Sequence, residues 1–107
     1  MSGSFGDMGN LLKQAQRMQA AMKEAREELD ELELVGSSGG GVVGVTVTAN
    51  GDLKDVRISE EAMKAEDRSL LEDLVLAAAQ DAMSQAKRIR EERLAKVTGG
   101  LNLPGFQ

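Results

Sequence analysis

Basic side chains, the type that binds phosphate, are concentrated at the two ends of this 107-residue chain. Residues 1–26 carry four basic against two acidic residues, and residues 87–107 carry five against two. Lys and Arg form charge-assisted hydrogen bonds with phosphate oxygens, so each end has side chains suited to a polyanion. The candidate binding residues are Lys13, Arg17, Lys23, Arg26, Lys87, Arg88, Arg90, Arg93 and Lys96.

The middle of the chain is acidic, and it accounts for the formal net charge of -5. Residues 27–34 contain five acidic and no basic residues, and residues 50–86 contain nine acidic against four basic residues. Salt screens charges over roughly 8–10 Å, so a ligand at one end responds mainly to the local charge. The acidity of the whole chain therefore does not exclude a polyanionic partner at the basic ends.

Few side chains in the sequence are suited to catalysis. There is no His, Cys or Tyr, so a general acid or base would have to be Asp, Glu or Lys. The acidic residues 27–33 lie on a predicted helix that turns them to several sides, which does not suit a metal site. Gly39, Gly41 and Gly44 match G-x-G-x-x-G, but that dinucleotide motif must open a helix and here it precedes a predicted strand. We predict no enzyme activity, no metal site and no cofactor.

A long amphipathic helix is predicted near the N-terminal end. Apolar residues recur in steps of three and four from Met8 to Leu32, as in a seven-residue repeat. A helix over residues 8–34 is about 40 Å long, and Asp7 is its expected N-cap. Because this length exceeds what a small domain covers, we expect part of the helix to project or to pack on a second chain.

The next predicted element is a half-buried strand over residues 42–49. Valines alternate with threonines there, which places them on opposite faces of a sheet. Asn50 and Gly51 follow, and this pair is typical of a type I′ hairpin turn with positive φ at both positions. The sequence therefore predicts an antiparallel hairpin.

Two further strands complete the predicted sheet. Residues 53–58 form the returning strand, in which the three-residue step from Leu53 to Val56 indicates a bulge. A short strand near residues 32–35 would make a three-stranded meander. The glycine-rich segment 36–41 is predicted to be a loop, since glycine costs the most backbone entropy to order.

A second long helix is predicted after a polar segment, residues 59–66, that forms a turn or one short helix. Asp67 is a candidate cap, as are Ser69 and Glu72 acting as a capping box, and Gly99 is expected to end the helix.

The apolar stripe of this second helix becomes basic along its length. Its members are Leu71, Val75, Ala78, Ala82, Ala86 and Ile89. Arg93 and Lys96 occupy the next positions of the same stripe. We therefore expect burial to end near Ile89, with the last two turns in water or against an anion.

The chain is expected to be a single domain, residues 1–107, with flexible termini at 1–7 and 99–107. Its only aromatic residues, Phe5 and Phe106, lie in glycine-rich terminal segments, so little material remains for a core. We expect folding to be coupled to oligomerisation. The absence of cysteine, of a signal sequence and of a long apolar run predicts a soluble protein of the cytoplasm.

Four segments of the chain combine into a recognisable pattern. They are Met8-Gly9-Asn10-Leu11-Leu12-Lys13-Gln14-Ala15-Gln16, Gly41 through Asn50-Gly51 to Ile58, Leu71-Glu72-Asp73-Leu74-Val75, and Gly99-Gly100-Leu101 with Leu103-Pro104-Gly105-Phe106. The chain resembles the YbaB/EbfC family of bacterial nucleoid-associated proteins over nearly its full length. The resemblance implies an α+β protomer, a homodimer joined through the sheet region, and long helices that project like tweezers and bind duplex DNA.

The resemblance also implies that the DNA-contacting surface lies on the first and last helices, which carry the nine basic residues named above. Our leading hypothesis is a cytoplasmic, nucleoid-associated dimer that binds the phosphate backbone of double-stranded DNA and could act in nucleoid organisation and gene regulation. The alternative is a small acidic dimeric adaptor whose projecting helices bind a protein partner, for example a recombination or replication factor. A purely structural oligomer is a third hypothesis.

Overall fold

The computed structural model describes residues 2–99, with side chains from residue 7 onward. The chain is α+β, and a short 3-10 turn links its first two strands at Gly39–Gly41. The other elements, in chain order, are α1 (Ser2–Glu31), β1 (Glu33–Ser38), β2 (Val43–Thr48), β3 (Leu53–Ile58), α2 (Glu60–Lys64) and α3 (Arg68–Thr98). The predicted order of a long helix, a three-stranded antiparallel meander and a second long helix is confirmed.

α1 begins six residues before the start that the sequence pattern indicated at Met8. Residues 2–7 are helical, so Asp7 lies inside the helix and the prediction that it is the N-cap is wrong. Gly3 and Gly6 each lower helix stability by about 1 kcal/mol, which is why the pattern favoured a later start. Extending an existing helix is far easier than nucleating one, so the two glycines do not stop it.

β1 is longer than predicted and takes up the first half of the expected loop. α1 ends at Glu31, and β1 then pairs antiparallel with β2 from Glu33, opposite Thr48, to Ser38, opposite Val43. The prediction of a loop is therefore wrong for residues 36–38. Pairing with β2 satisfies the backbone groups that a loop would leave to water.

The core lies where α3 packs across β1 and β2. It consists of residues at most 1% exposed, namely Val43, Val45, Val47, Ala78, Ala82 and Ala86. Gly36 permits the close contact of β1 with α3. A Cβ atom there would lie 2.2 Å from the backbone nitrogen of Ala82 and 2.3 Å from the carbonyl oxygen of Ala78. The predicted valine face and alanine stripe are confirmed as the core.

The β2–β3 turn differs from the predicted type I′ turn. Gly51 has a φ of 94°, but Asn50 does not have a positive φ, so the type I′ prediction is wrong. The N–H of Gly51 donates to the carbonyl oxygen of Thr48, and the N–H of Thr48 donates to that of Asp52, both at 2.8 Å. These bonds define a three-residue loop that ends in a left-handed glycine, the next most common hairpin connection.

β3 is an edge strand whose apolar side chains are left uncovered. The predicted bulge is confirmed at Lys54, where the pairing with β2 skips one residue. Leu53, Val56 and Ile58 pair with the buried valines of β2 and share their face. In the described part of the chain α3 packs over β1 and β2, so these three side chains stay 39–62% exposed.

Both C-terminal helices begin at side-chain caps. The Ser59 hydroxyl accepts a hydrogen bond from the N–H of Ala62 at 3.1 Å, which starts α2. Asp67 accepts one from the N–H of Leu70 at 3.0 Å, which confirms it as the cap of α3. α3 ends at Thr98, directly before Gly99, as predicted. The remainder of the predicted flexible C-terminal segment, residues 100–107, lies outside the described residues.

Candidate nucleic-acid interface

α1 packs on the rest of the described chain through its C-terminal part. Ala25 and Leu29 are buried there, whereas Met8 and Leu11 are 66% and 64% exposed. A helix of this length spans about 45 Å, and the longest dimension of the molecule is 77 Å. Residues 2–17 therefore form a projection, which we call the N-terminal arm.

α3 continues past the sheet alongside the last part of α1. Half-buried positions recur at three- and four-residue steps from Ile89 to Thr98 on α3 and from Met18 to Met22 on α1. This pattern indicates that the two helices lie side by side. They run in opposite directions, because α1 ends beside the β2–β3 turn, whereas α3 passes the turn at Arg90 and continues beyond it to Thr98. The basic parts of both helices consequently lie at the same end of the molecule, on the side of the β2–β3 turn.

The β2–β3 turn is hydrogen-bonded to both helices. The Asn50 side-chain nitrogen donates to the carbonyl oxygen of Arg26 at 3.0 Å and to a carboxylate oxygen of Asp30 at 2.6 Å. Arg90 donates from Nη1 to the carbonyl oxygen of Ala49 at 3.1 Å. The turn therefore fixes the point from which the two helices leave the sheet.

Glu28 and Arg93 join the two helices directly. Arg93 donates from Nε to Oε2 of Glu28 at 3.0 Å, and its Nη2 donates to the same oxygen. Of the ion pairs seen among the described residues, this is the one that links α1 to α3. The last turns of α3 were expected to lie in water or against an anion. Arg93 contacts an anion, which is a carboxylate of the same chain, whereas Lys96 is exposed.

The nine basic residues predicted as a binding site lie in two settings. Arg90 and Arg93 are half-buried and make the intramolecular hydrogen bonds described above. The exposed ones are Lys13, Arg17, Lys23, Arg26, Lys87, Arg88 and Lys96. Lys13 and Arg17 are four residues apart and share one side of the N-terminal arm, whereas helical geometry turns Lys23 and Arg26 to other sides of α1. The structure brings these residues to one end of the molecule without forming a single flat patch.

Sequence reasoning missed the acidic residues that organise this end. It placed Glu28 and Asp30 among the acidic residues 27–33 of a predicted helix without a partner, and Asn50 only in a hairpin turn. The position of Arg93 could have indicated such a residue. Arg93 continues an apolar stripe that packs on another element, and a guanidinium at that position requires a hydrogen-bond acceptor on the element that it contacts. The identity of that acceptor depends on the packing of α1 against α3, which periodicity does not specify.

A second surface feature is an apolar groove between β3 and α3, which we call the β3–α3 groove. It is lined by Ile58, Leu71, Val75, Leu76 and Ala79, and Leu76 is 56% exposed. Arg68 and Glu72 lie at its edge and form an ion pair at 3.4 Å. The groove exists because α3 lies over β1 and β2 and leaves β3 open.

Residues 2–99 contain no group of three or more acidic side chains arranged to hold a metal ion. Within the same residues, no helix combines the length and the apolar character needed to cross a membrane.

The fold and the position of the charges define a class of small α+β protein with projecting basic helices. Residues 5–101 match the model of the YbaB/EbfC DNA-binding family. The chain is 44% identical over 98 residues to a nucleoid-associated protein of Methylocella silvestris, with 92% of each chain covered. It is 46% identical over 102 residues to a nucleoid-associated protein of Afipia carboxidovorans, covering 95% of this chain and 97% of that one. The chain belongs to the YbaB/EbfC family, as its sequence pattern predicts.

The fold is similar to that of a solved structure. An uncharacterized protein of Helicobacter pylori matches with a TM-score of 0.68 and 23% identity, covering 82% of this chain and 89% of that one. At this identity the likeness concerns the fold alone, and it supports the arrangement of long helices around a three-stranded sheet.

Proposed function

We propose that this protein binds duplex DNA through the phosphate backbone and acts as a cytoplasmic, nucleoid-associated protein in nucleoid organisation and gene regulation. The observation that carries the proposal is the position of the basic segments of α1 and α3, which are far apart in sequence and lie at one end of the molecule. The family of the chain and the names of its relatives support the same function. The DNA-binding description of the family names no catalytic activity.

Binding is proposed to be weakly selective for DNA sequence. The exposed candidate residues are lysines and arginines, which neutralise phosphates, and no aromatic residue lies among them to stack on a base. Contacts to phosphate fix the position of a protein on the duplex but carry no sequence information directly. A duplex backbone is therefore the better target.

A charge reversal on the N-terminal arm tests this proposal. The double substitution Lys13→Glu and Arg17→Glu should weaken duplex binding about tenfold or more at low salt, because it replaces phosphate neutralisation by repulsion. Lys54→Glu with Lys64→Glu is the matched control, since it changes the net charge equally at exposed positions away from the arm. Fluorescence anisotropy with a labelled duplex measures both. Equal losses in the two variants would reject the arm as the binding surface.

We also propose that two copies of the chain join in the sheet region, through the β3–α3 groove, to give a homodimer with projecting arms. The exposed apolar side chains of β3 and Leu76 support this, since they form a continuous uncovered surface beside a small core of valines and alanines. Burying this surface in a second copy would leave α1 and the end of α3 free in each protomer.

Sedimentation equilibrium tests the dimer. The native protein should have twice the 11.4 kDa mass of the chain. Leu76→Asp should shift the equilibrium to the monomer, because it places an unpaired carboxylate in the proposed interface. Leu12→Asp, at a residue of the arm that is 61% exposed, is the matched control and should stay dimeric. A native mass of 11.4 kDa would exclude the dimer.

The exposed apolar stripe of the N-terminal arm favours a second function, binding of a protein partner by helix-in-groove packing. Met8, Leu11 and Leu12 are 61–66% exposed on this stripe. The adaptor function would be supported if the native dimer retained no duplex at low salt, yet formed a stable complex with a purified partner that Leu11→Asp and Leu12→Asp abolished. Duplex binding that is lost on reversing Lys13 and Arg17 would favour the DNA-binding function instead.

A further inference from the structure

We propose that Arg93 holds α1 against α3 by binding Glu28 and does not itself bind phosphate, so that the pair acts as a brace between the two helices. The inference rests on the proposed DNA-binding function and deepens it, because it removes one residue from the contact set and assigns it a positioning role. It also gives Glu28, an acidic residue close to a DNA-binding surface, a defined purpose.

Two donor nitrogens of Arg93 bind one carboxylate oxygen of Glu28. Its Nε lies 3.0 Å from Oε2 of Glu28, and its Nη2 donates to the same oxygen. A guanidinium engaged through two nitrogens has a fixed orientation, and a charged acceptor strengthens each bond. The Nε–Nη2 edge of the guanidinium, one of the two edges that can bind a phosphate, is therefore turned toward α1.

The location of Arg93 supports the same role. It continues the stripe of Ala82, Ala86 and Ile89 that faces the interior, and its side chain is 40% exposed. The exposed residues Lys87 and Arg88 lie on other sides of the helix. Arg93 is thus placed between the helices, whereas Arg88 is placed for an external ligand.

The other contacts between α1 and α3 show which part of the helix geometry the Glu28–Arg93 pair determines. Asn50 binds α1 and Arg90 binds the turn, so the end of α1 and the C-terminal third of α3 are tied to the β2–β3 turn. Beyond the turn, the buried and half-buried positions of α1 are small or apolar residues such as Met22 and Ala25. Apolar contacts fix a distance more than an angle, because they are not directional. The ion pair therefore sets the angle at which the two helices present their basic side chains.

The substitution Glu28→Gln distinguishes a phosphate-binding role of Arg93 from a brace, because the two roles predict opposite changes in DNA affinity. If Arg93 bound phosphate, removing the nearby carboxylate would free the guanidinium and raise DNA affinity. If the pair is a brace, the loss of alignment lowers DNA affinity although the protein becomes less negative. The expected loss is about two- to fivefold, since the pair is partly exposed.

Salt dependence provides a second readout. For a phosphate contact, Arg93→Gln would reduce the slope of log affinity against log salt by about 0.9 for each protomer engaged. If the pair is a brace, Arg93→Gln lowers the affinity for DNA but leaves the slope of log affinity against log salt unchanged. Arg88→Gln is the matched control, because Arg88 makes no side-chain hydrogen bond or ion pair with the described residues. This variant should reduce the slope.

Reversing the pair completes the set of DNA-binding measurements. The double variant Glu28→Arg with Arg93→Glu keeps the net charge and restores an ion pair between the same positions. A brace predicts affinity within about twofold of the native protein, as expected when a surface pair is re-formed. A loss in the double variant at least as large as that of Arg93→Gln would overturn the proposal.

A distance measurement tests the brace without DNA. The chain has no cysteine, so spin labels at Gln16→Cys and Glu92→Cys, in protomers diluted with unlabelled protein, report the separation of the two helices. A brace predicts that Glu28→Gln and Arg93→Gln broaden the distance distribution and that the reversed pair narrows it again. Unchanged distance distributions in these variants would overturn the proposal. A higher DNA affinity of Glu28→Gln would also overturn it, as would a reduced salt slope of Arg93→Gln. Failure of the native protein to bind any duplex would reject the proposed function, while the distances would still decide the brace.

Discussion

Gly36 determines how closely β1 approaches α3. The position has no room for a side chain, because a Cβ atom would lie 2.2 Å from backbone that the alanine stripe of α3 has brought against the strand. Neighbouring hydrogen bonds hold the two elements at this distance, since the Ser38 hydroxyl donates to the carbonyl oxygen of Leu74 at 2.5 Å and Gln85 donates to that of Val35 at 3.0 Å. Because Gly36 has a hydrogen atom where alanine has a methyl group, β1 and α3 can pack at this distance.

At the residue scale we predict that Gly36→Ala lowers the free energy of unfolding by about 3 kcal/mol, because overpacking against backbone forces β1 away from α3. Gly44→Ala is the control. The nearest atoms to a Cβ at Gly44 lie 3.8 Å away, an ordinary contact, and its effect should stay below about 1 kcal/mol. Urea denaturation followed by circular dichroism measures both. Similar losses in the two variants would contradict the close packing at Gly36.

At the element scale, periodicity predicted the two long helices, the buried strand and the alanine stripe, because these follow from the local repeat of apolar residues. Periodicity gave wrong predictions where tertiary contacts determine the local structure. Residues 36–38 join a strand because β2 offers a pairing edge, and the turn at Asn50 takes a different form because the residues around it bond to both helices. The basic composition of the site was predictable, whereas the pairing of Arg93 with Glu28 depends on helix packing that no local pattern encodes.

The start of α3 allows a test at this scale. Asp67→Ala removes the acceptor of the Leu70 N–H and should lower the free energy of unfolding by about 1 kcal/mol. Asp73→Ala is the control, since Asp73 is exposed inside the helix and alanine is the better helix former there. Thermal denaturation should show a lower midpoint for the first variant alone. A lower midpoint in both would indicate a general effect of charge.

At the scale of the whole molecule, the division of charge along the sequence becomes a division in space. The packing of α1 beside α3 places the basic segments at one end, while the net charge of the chain stays at -5. A protein of this net charge is expected to repel DNA at most of its surface, so the proposed binding depends on local charge within a screening length. The sequence predicted two basic ends, and the fold determines that they lie together.

We propose that this basic end binds the phosphate backbone of duplex DNA. The most direct test is the affinity of the native protein for several unrelated duplexes over a series of salt concentrations, measured by fluorescence anisotropy. We predict that log affinity falls linearly with log salt, by about 0.9 for each phosphate contacted, with one slope for all sequences. An affinity that does not change with salt, or binding to only one of the duplexes, would contradict binding through the phosphate backbone.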